Sequence, residues 1–225
     1  MHVSTRPRLG TRAQPEESRA AILKAAFAEF AEHGIAGART DAIARAARVN
    51  KALLYYYFKD KEALYEAVLD QVFSGMREQV VPVLESALPP RQKVLAYVGA
   101  YFDYIAANPS YPRMVQSEWM RAGSGRTRQM QQVAKKYFRP IYQKLGDVLR
   151  AGTAAGEFRA VDPRHFVPSM VAIIVFYFSA APVIKTLMEV DPLAPERVAE
   201  RRAFVLDFIS AALFTRPLPA PGERS

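Results

Sequence analysis

Apolar positions recur every three or four residues along most of the chain, and no stretch alternates with period two between hairpin signals. That pattern predicts an all-α protein of about nine helices with no sheet. The first helix starts at Pro15, with Glu16 and Glu17 at its positive end and Ile22, Leu23, Ala26, Phe27, Phe30 and Ala31 in one stripe, and Gly34 ends it. After two short helices, Asp60 is placed to cap a fourth that carries Leu64, Val68 and Val72 inward and stops near Val81, before Pro82. Pro89-Pro90 opens a fifth through Val94, Val98, Tyr101, Phe102 and Ile105, and a sixth covers 111–121. A Gly123-Ser124-Gly125 loop leads to a seventh over 127–151 that Pro140 should kink. Phe166 to Ile184 is the most apolar segment, yet its uninterrupted part, Met170 to Phe178, is too short to span a bilayer. It reads as a helix buried on every side, bent near its end by Pro182. The last helix, 196–214, is charged at first and then carries Phe204, Val205, Phe208, Ile209, Ala212 and Leu213, a stripe broader than one packing face needs.

The stretch from Thr40 to Leu64 carries the most information. Thr40 is a suitable N-cap, Asp41 suits the first turn, and Ile43, Ala44 and Ala47 share one face of a short helix. Arg48-Val49-Asn50 interrupts it, Asn50 can cap a second helix, and Leu54 and Phe58 fall four apart on that helix's inner side. Lys51, Ala52, Leu53, Tyr55 and Tyr57 are left facing outward or sideways with Tyr56 beside them, and Lys59 and Lys61 follow. Scattered surface aromatics are ordinary on a solvated helix. A helix, a tight turn and a second helix bearing tyrosines and lysines is the geometry of a DNA-reading element.

The run Thr40, Ile43-Ala44, Ala47, Val49, Leu54-Tyr55, Tyr57-Phe58, Lys61-Glu62 and Leu64 resembles the DNA-binding signature of the tetracycline-repressor (TetR) family of bacterial transcription regulators. With the helix before it, the likeness covers about Ala20 to Leu69; beyond that the chain is similar in length and helical character. Two positions depart from the pattern. Arg48 stands where the family usually has Gly, so a turn with positive φ would carry a strain of about 1 kcal/mol. Asn50 replaces the more frequent Ser and caps equally well.

The resemblance implies a three-helix DNA-binding domain at 15–60 and a helical ligand-binding and dimerisation domain at 61–215. It implies that Lys51, Ala52 and Leu53 face base edges, that Thr40, Tyr55, Tyr57 and Lys61 hold phosphates, and that Arg48, Asn50 and Tyr56 belong to the same surface. It further implies a homodimer on double-stranded operator DNA, its last two long helices forming a four-helix bundle with those of the partner; Phe176, Val205, Phe208, Ile209 and Ala212 are the candidate interface residues. A small effector entering the larger domain would shift the Lys61 to Val81 helix and release the DNA.

Composition adjusts this picture at a few points. The formal charge of +9 and a pI near 9.8 agree with a polyanionic partner. Cysteine is absent, which excludes disulfides and thiolate metal sites and fits a reducing cytoplasm. No signal peptide is visible: residues 1–14 read as a disordered basic arm carrying Arg6, Arg8 and Arg12, and 216–225 as a loose Pro-rich tail.

Catalytic chemistry finds no support. His2, His33 and His165 are scattered, Ser124 lacks the context of a nucleophile elbow, and no phosphate-binding glycine loop occurs, so neither an enzyme nor a metal or other cofactor is expected. Tyr101, Phe102, Met114, Trp119, Tyr137, Met170 and Tyr177 are candidates for lining an apolar pocket, with Glu118 as a polar contact for an amphipathic effector, although each also suits a plain core. Two other readings stay open. One is a ligand-binding or protein-interaction module that no longer reads DNA, and the other an activator with the same DNA contacts.

Overall fold

A computed structural model of the chain describes residues 13–109, 111–123 and 128–215, with side chains at all of these except 13, 14, 119–123, 128 and 130. The expected basic arm, the Gly123-Ser124-Gly125 loop beyond its first residue and the C-terminal tail lie outside this set. Two compact units emerge, one ending at Leu69 and the other beginning at Asp70. The division falls inside the fourth helix, where the sequence reading placed it at that helix's start.

In the first unit, α1 (Ala13–Gly37), α2 (Thr40–Ala46) and α3 (Lys51–Tyr57) close around Ile22, Ala26, Phe30, Ile43, Leu54 and Phe58, all buried. Gly34 breaks the course of α1 with φ 62 and ψ 175, a backbone region reserved in practice for glycine. Its carbonyl then accepts the Ala38 N–H at 3.0 Å, which sets the chain's direction into α2. The first turns of α4 (Lys61–Glu85) complete this core, with Tyr65 buried edge-on against Phe30 at 4.8 Å between centroids. Asp60 caps α4 as expected, accepting the Ala63 N–H at 2.7 Å.

The second unit is organised on α5 (Pro90–Ala107), which packs against α8 (Arg139–Ala154), α9 (Pro163–Ser179) and α11 (Pro195–Leu213). It buries Val94, Tyr97, Val98, Tyr101, Phe102 and Ile105. Two further segments precede α8: α6 (Tyr111–Gly123) packs on α9, and α7 (Arg128–Val133) runs into a π-helical turn at Ala134–Phe138. Among the described residues no strand forms, and one isolated antiparallel bridge joins Phe158 to Phe214.

Several expected boundaries change. Helix α4 continues through Pro82 to Glu85: the proline withholds the N–H that the Glu78 carbonyl would accept, but one missing bond near the end does not stop the helix. The seventh helix is three segments, because the π turn adds a residue before Pro140 settles into the first turn of α8, where its missing N–H costs nothing. The apolar 166–184 segment is two helices. Here α9 ends at Ser179 and α10 (Ala181–Met188) starts with Pro182 in its first turn, bent 68° from α9. These divisions turn nine expected helices into eleven α-helical segments among the described residues. Nor is that segment buried on every side: Val167, Met170, Ile174 and Val175 face the core, whereas Phe176 is 69% exposed. No single described helix is long and apolar enough to cross a membrane.

Candidate nucleic-acid interface

The turn between α2 and α3 is a Schellman arrangement. The Val49 N–H reaches back to the Ala44 carbonyl at 3.0 Å and the Arg48 N–H to the Arg45 carbonyl at 3.1 Å, which places Arg48 in the left-handed region at φ 56. The strain expected at Arg48 is therefore present. Replacing it relieves a cost of roughly 1–2 kcal/mol, offset by about 0.5–1 kcal/mol of extra chain entropy. Arg48→Gly is thus expected to raise stability by roughly 0.5–1 kcal/mol, seen as a higher denaturant midpoint; a lower midpoint would contradict a strained turn.

Asn50 caps α3, its side chain accepting the Leu53 N–H at 2.7 Å. Leu54 is 0% and Phe58 4% exposed, so both anchor the helix inward, and the Arg19 guanidinium lies 5.3 Å above the Phe58 ring. The opposite face is open: Lys51 and Ala52 are exposed, Leu53 and Tyr57 half-buried, Tyr55 41% and Tyr56 81% exposed. Over residues 39–61 six basic side chains (Arg39, Arg45, Arg48, Lys51, Lys59 and Lys61) stand against two acids, Asp41 and Asp60.

One expected cap moves, and one candidate phosphate ligand has contacts within the chain. Thr40 is not the N-cap of α2; that position is Arg39, whose N–H is held by Glu29 Oε1 at 3.0 Å, and Thr40 sits in the first turn with its hydroxyl 3.3 Å from the Tyr55 hydroxyl. Lys61, half-buried, donates to the carbonyls of Ala36 at 3.5 Å and Ala38 at 3.3 Å, tying the start of α4 to the end of α1 and the loop after it. Sequence reasoning passed over Arg39 and Arg45, both exposed, and the ion pair of Lys51 Nζ with Asp41 Oδ1 at 2.8 Å. The outward register of Arg45 was readable from its buried neighbours Ile43 and Ala44, but an ion pair across ten residues was not. The Lys51 ammonium beside Asp41 holds that carboxyl below its ordinary range, and Asp41 holds Lys51 above its own.

In the second unit Tyr101 and Tyr137 join one aromatic cluster, since their ring neighbours Tyr111 and Phe73 meet edge-on at 5.7 Å. Tyr101 is buried with its hydroxyl 3.5 Å from that of Tyr111 and its ring stacked on Tyr97, and burial raises its pKa above that of an ordinary phenol. Phe102 meets Phe178 edge-on at 5.2 Å, while Met114 and Glu118 of α6 are buried. The side chain of Trp119 lies outside the described residues. Tyr137, on the π turn, donates to the Asp70 carboxylate, which Lys136 also binds. Burial disfavours ionised Asp70, but these hydrogen bonds and the lysine charge outweigh it and hold its pKa below the usual range. Met170 lines an open groove of about 410 Å³ with Phe166, Phe208 and Ile209. Tyr177 is half-buried, donates to the Pro192 carbonyl at 2.8 Å and lies 4.8 Å beneath the Arg201 guanidinium. Among the described residues no three His, Asp or Glu side chains gather as a metal site.

Of the candidate interface residues, Phe176 (69%) and Phe208 (48%) are exposed and Ala212 is half-buried. Val205 and Ile209 are instead committed to the chain's own core, at 0% and 2%. Phe204, which the sequence reading left out of that set, is 52% exposed and stacks on Phe208 at 6.1 Å.

Comparison with known proteins agrees with this geometry at both ends of the chain. Residues 22–68 match the family described as "Bacterial regulatory proteins, tetR family", and residues 90–209 match "Tetracyclin repressor-like, C-terminal domain". The HTH-type transcriptional repressor NicS of Pseudomonas putida is 27% identical over 88% of this chain and 93% of its own length. The HTH-type transcriptional repressor SCO4008 of Streptomyces coelicolor is 39% identical over 49% of this chain and 54% of its own. The crystal structure of SCO4942, also from Streptomyces coelicolor, superposes with a TM-score of 0.66 at 31% identity, covering 89% of this chain and 99% of that one. Helix-turn-helix geometry and these matches lead to one conclusion: the chain belongs to the tetR family of bacterial regulatory proteins and is a DNA-binding transcriptional regulator.

Proposed function

We propose that the protein is a homodimeric, cytoplasmic repressor that occupies a palindromic operator and leaves it when an amphipathic small molecule enters the 70–225 unit. The observation that carries the reading is the outward face of α3, where Lys51, Ala52, Tyr55 and Tyr56 stand free of the core while Leu54 and Phe58 pin the helix from behind. Lys51, Ala52 and Leu53 open the helix at the end that meets base edges in a helix-turn-helix, and Tyr55, Tyr57, Arg48 and Lys59 flank it with groups that bind phosphate.

A helix of seven residues reaches only a few base pairs, so a second copy is needed to specify a site. The exposed Phe176, Phe204 and Phe208 on α9 and α11, helices that pack on each other, support a self-complementary contact. The buried Tyr101, Tyr111 and Glu118 of α5 and α6 supply the aromatic and polar groups that an amphipathic effector would meet. NicS and SCO4008 are named as repressors, which supports the sign of regulation.

Selection of the purified protein against a random duplex pool tests the reading. It should enrich an inverted repeat whose half-site centres lie about 10 base pairs, or a multiple, apart. Affinity for that repeat should fall steeply and log-linearly between about 50 and 200 mM salt. No enrichment, or a flat salt response, would contradict it.

A further inference from the structure

We propose that Asp41 is a specificity-determining residue of the DNA interface: it fixes the Lys51 ammonium at the start of the reading helix, so that Lys51 addresses base edges instead of the nearest phosphate. This deepens the operator reading above and rests on it. Lys51 Nζ lies 2.8 Å from Asp41 Oδ1, and the two side chains are 51% and 52% exposed. A pair so open to water adds little to stability, but a small bias repeated at two reading helices is enough to shift where the ammonium rests. Its effect is on position.

Lysine is a compact charge on a flexible stem, and an untethered one beside a duplex settles on phosphates, which are alike at every sequence. Asp41 removes that freedom. It belongs to the first turn of α2 and Lys51 opens α3, so the pair spans the turn that the Schellman bonds and the Asn50 cap already hold rigid. A second tie runs beside it, between the hydroxyls of Thr40 and Tyr55 at 3.3 Å. Thr40 and Asp41 are consecutive, while Lys51 and Tyr55 lie one turn apart on the same face of α3. Neighbouring residues of α2 thus hold two outward side chains of α3 that lie one turn apart. The Asp41 carboxylate also repels phosphate, between Arg39 and Arg45, which attract it.

The test compares wild type, Asp41→Asn, Lys51→Ala and the double variant, each binding the selected inverted repeat and a random duplex of equal length across a salt series. Asp41→Asn should bind the random duplex more tightly and lower the repeat-over-random ratio about tenfold. Its salt slope should steepen by about 0.9 for each reading helix, the signature of one more phosphate contact. In the Lys51→Ala background the Asp41→Asn change should leave the ratio unaltered, because there is no ammonium left to release. An unchanged ratio and slope for Asp41→Asn overturns the proposal, as does an undiminished Asp41→Asn effect without Lys51, which would make Asp41 a simple repeller of phosphate. A wild-type protein that distinguishes no duplex overturns the operator reading itself, and so is told apart from either result.

Discussion

Gly152→Ala is expected to destabilise the protein by about 2 kcal/mol, although alanine is the better helix former. A Cβ at position 152 would lie 2.2 Å from two ring carbons of Phe158 and 2.7 Å from a third. The ring has nowhere to go. It is 3% exposed, it stacks on Phe214 with centroids 5.5 Å apart, and the Arg91 guanidinium covers Phe214 from 4.3 Å. The backbone around it is tied as well, since the Gly152 carbonyl accepts the N–H groups of Glu157 and Phe158 at 2.9 and 3.1 Å. Overpacking a closed site costs roughly 1–3 kcal/mol, and a rigid ring rather than a flexible chain end puts this case at the upper end. Helix propensity returns about 1 kcal/mol. Urea unfolding of the variant gives the value, and in a Phe158→Leu background the same Gly152→Ala change should cost at most half as much, a coupling expected only of side chains in contact. A wild-type midpoint for Gly152→Ala alone would show that the ring yields.

Leu54→Ala should cost about 3 kcal/mol and weaken operator binding a hundredfold or more. Leu54 is 0% exposed and is the one residue of α3 that is fully buried. Truncating a leucine in such a site costs roughly 2–5 kcal/mol, depending on how far the cavity collapses. A seven-residue helix has no stability of its own. What keeps α3 in place is Leu54, the neighbouring Phe58 and the Asn50 cap, so losing the first loosens the reading face as a whole. Tyr56→Ala is the control: its ring is 81% exposed, and stability should stay within about 0.5 kcal/mol of wild type. Thermal melting together with fluorescence anisotropy on labelled operator separates the two variants, and full-affinity binding by Leu54→Ala would refute the anchoring role.

Local features were the legible ones. The Asn50 and Asp60 caps, the inward Leu54 and Phe58, the strain at Arg48 and the break at Gly34 each depend on residues within a few positions, and the structure shows all of them. Thr40 misled because the helix begins one residue earlier: the Arg39 carbonyl already accepts the Ile43 N–H at 3.1 Å, which leaves Thr40 in the first turn. The contacts of Lys61 with the carbonyls of Ala36 and Ala38 were not legible, because those residues are 25 and 23 positions earlier in the chain. The buried half of α11 was harder still, since a stripe of apolar residues does not announce which members turn into the core. Val205 and Ile209 turned inward and Phe204 and Phe208 outward, a division set by the helices packed behind them. Charge pairing across the α2–α3 turn had no sequence signature beyond opposite signs ten positions apart.

The π-helical turn at Ala134–Phe138 houses one residue more than an α-helix would hold over the same rise. An additional amino acid accommodated this way shifts the phase of everything on one side of it by about 100°. Lys136 and Tyr137 lie inside this turn and both bind the Asp70 carboxylate. Shortening the chain by a single residue here would smooth the coil into regular α-helix, yet it would swing both side chains off the carboxylate, so this irregular turn behaves as a spacer whose length is fixed by what it must reach.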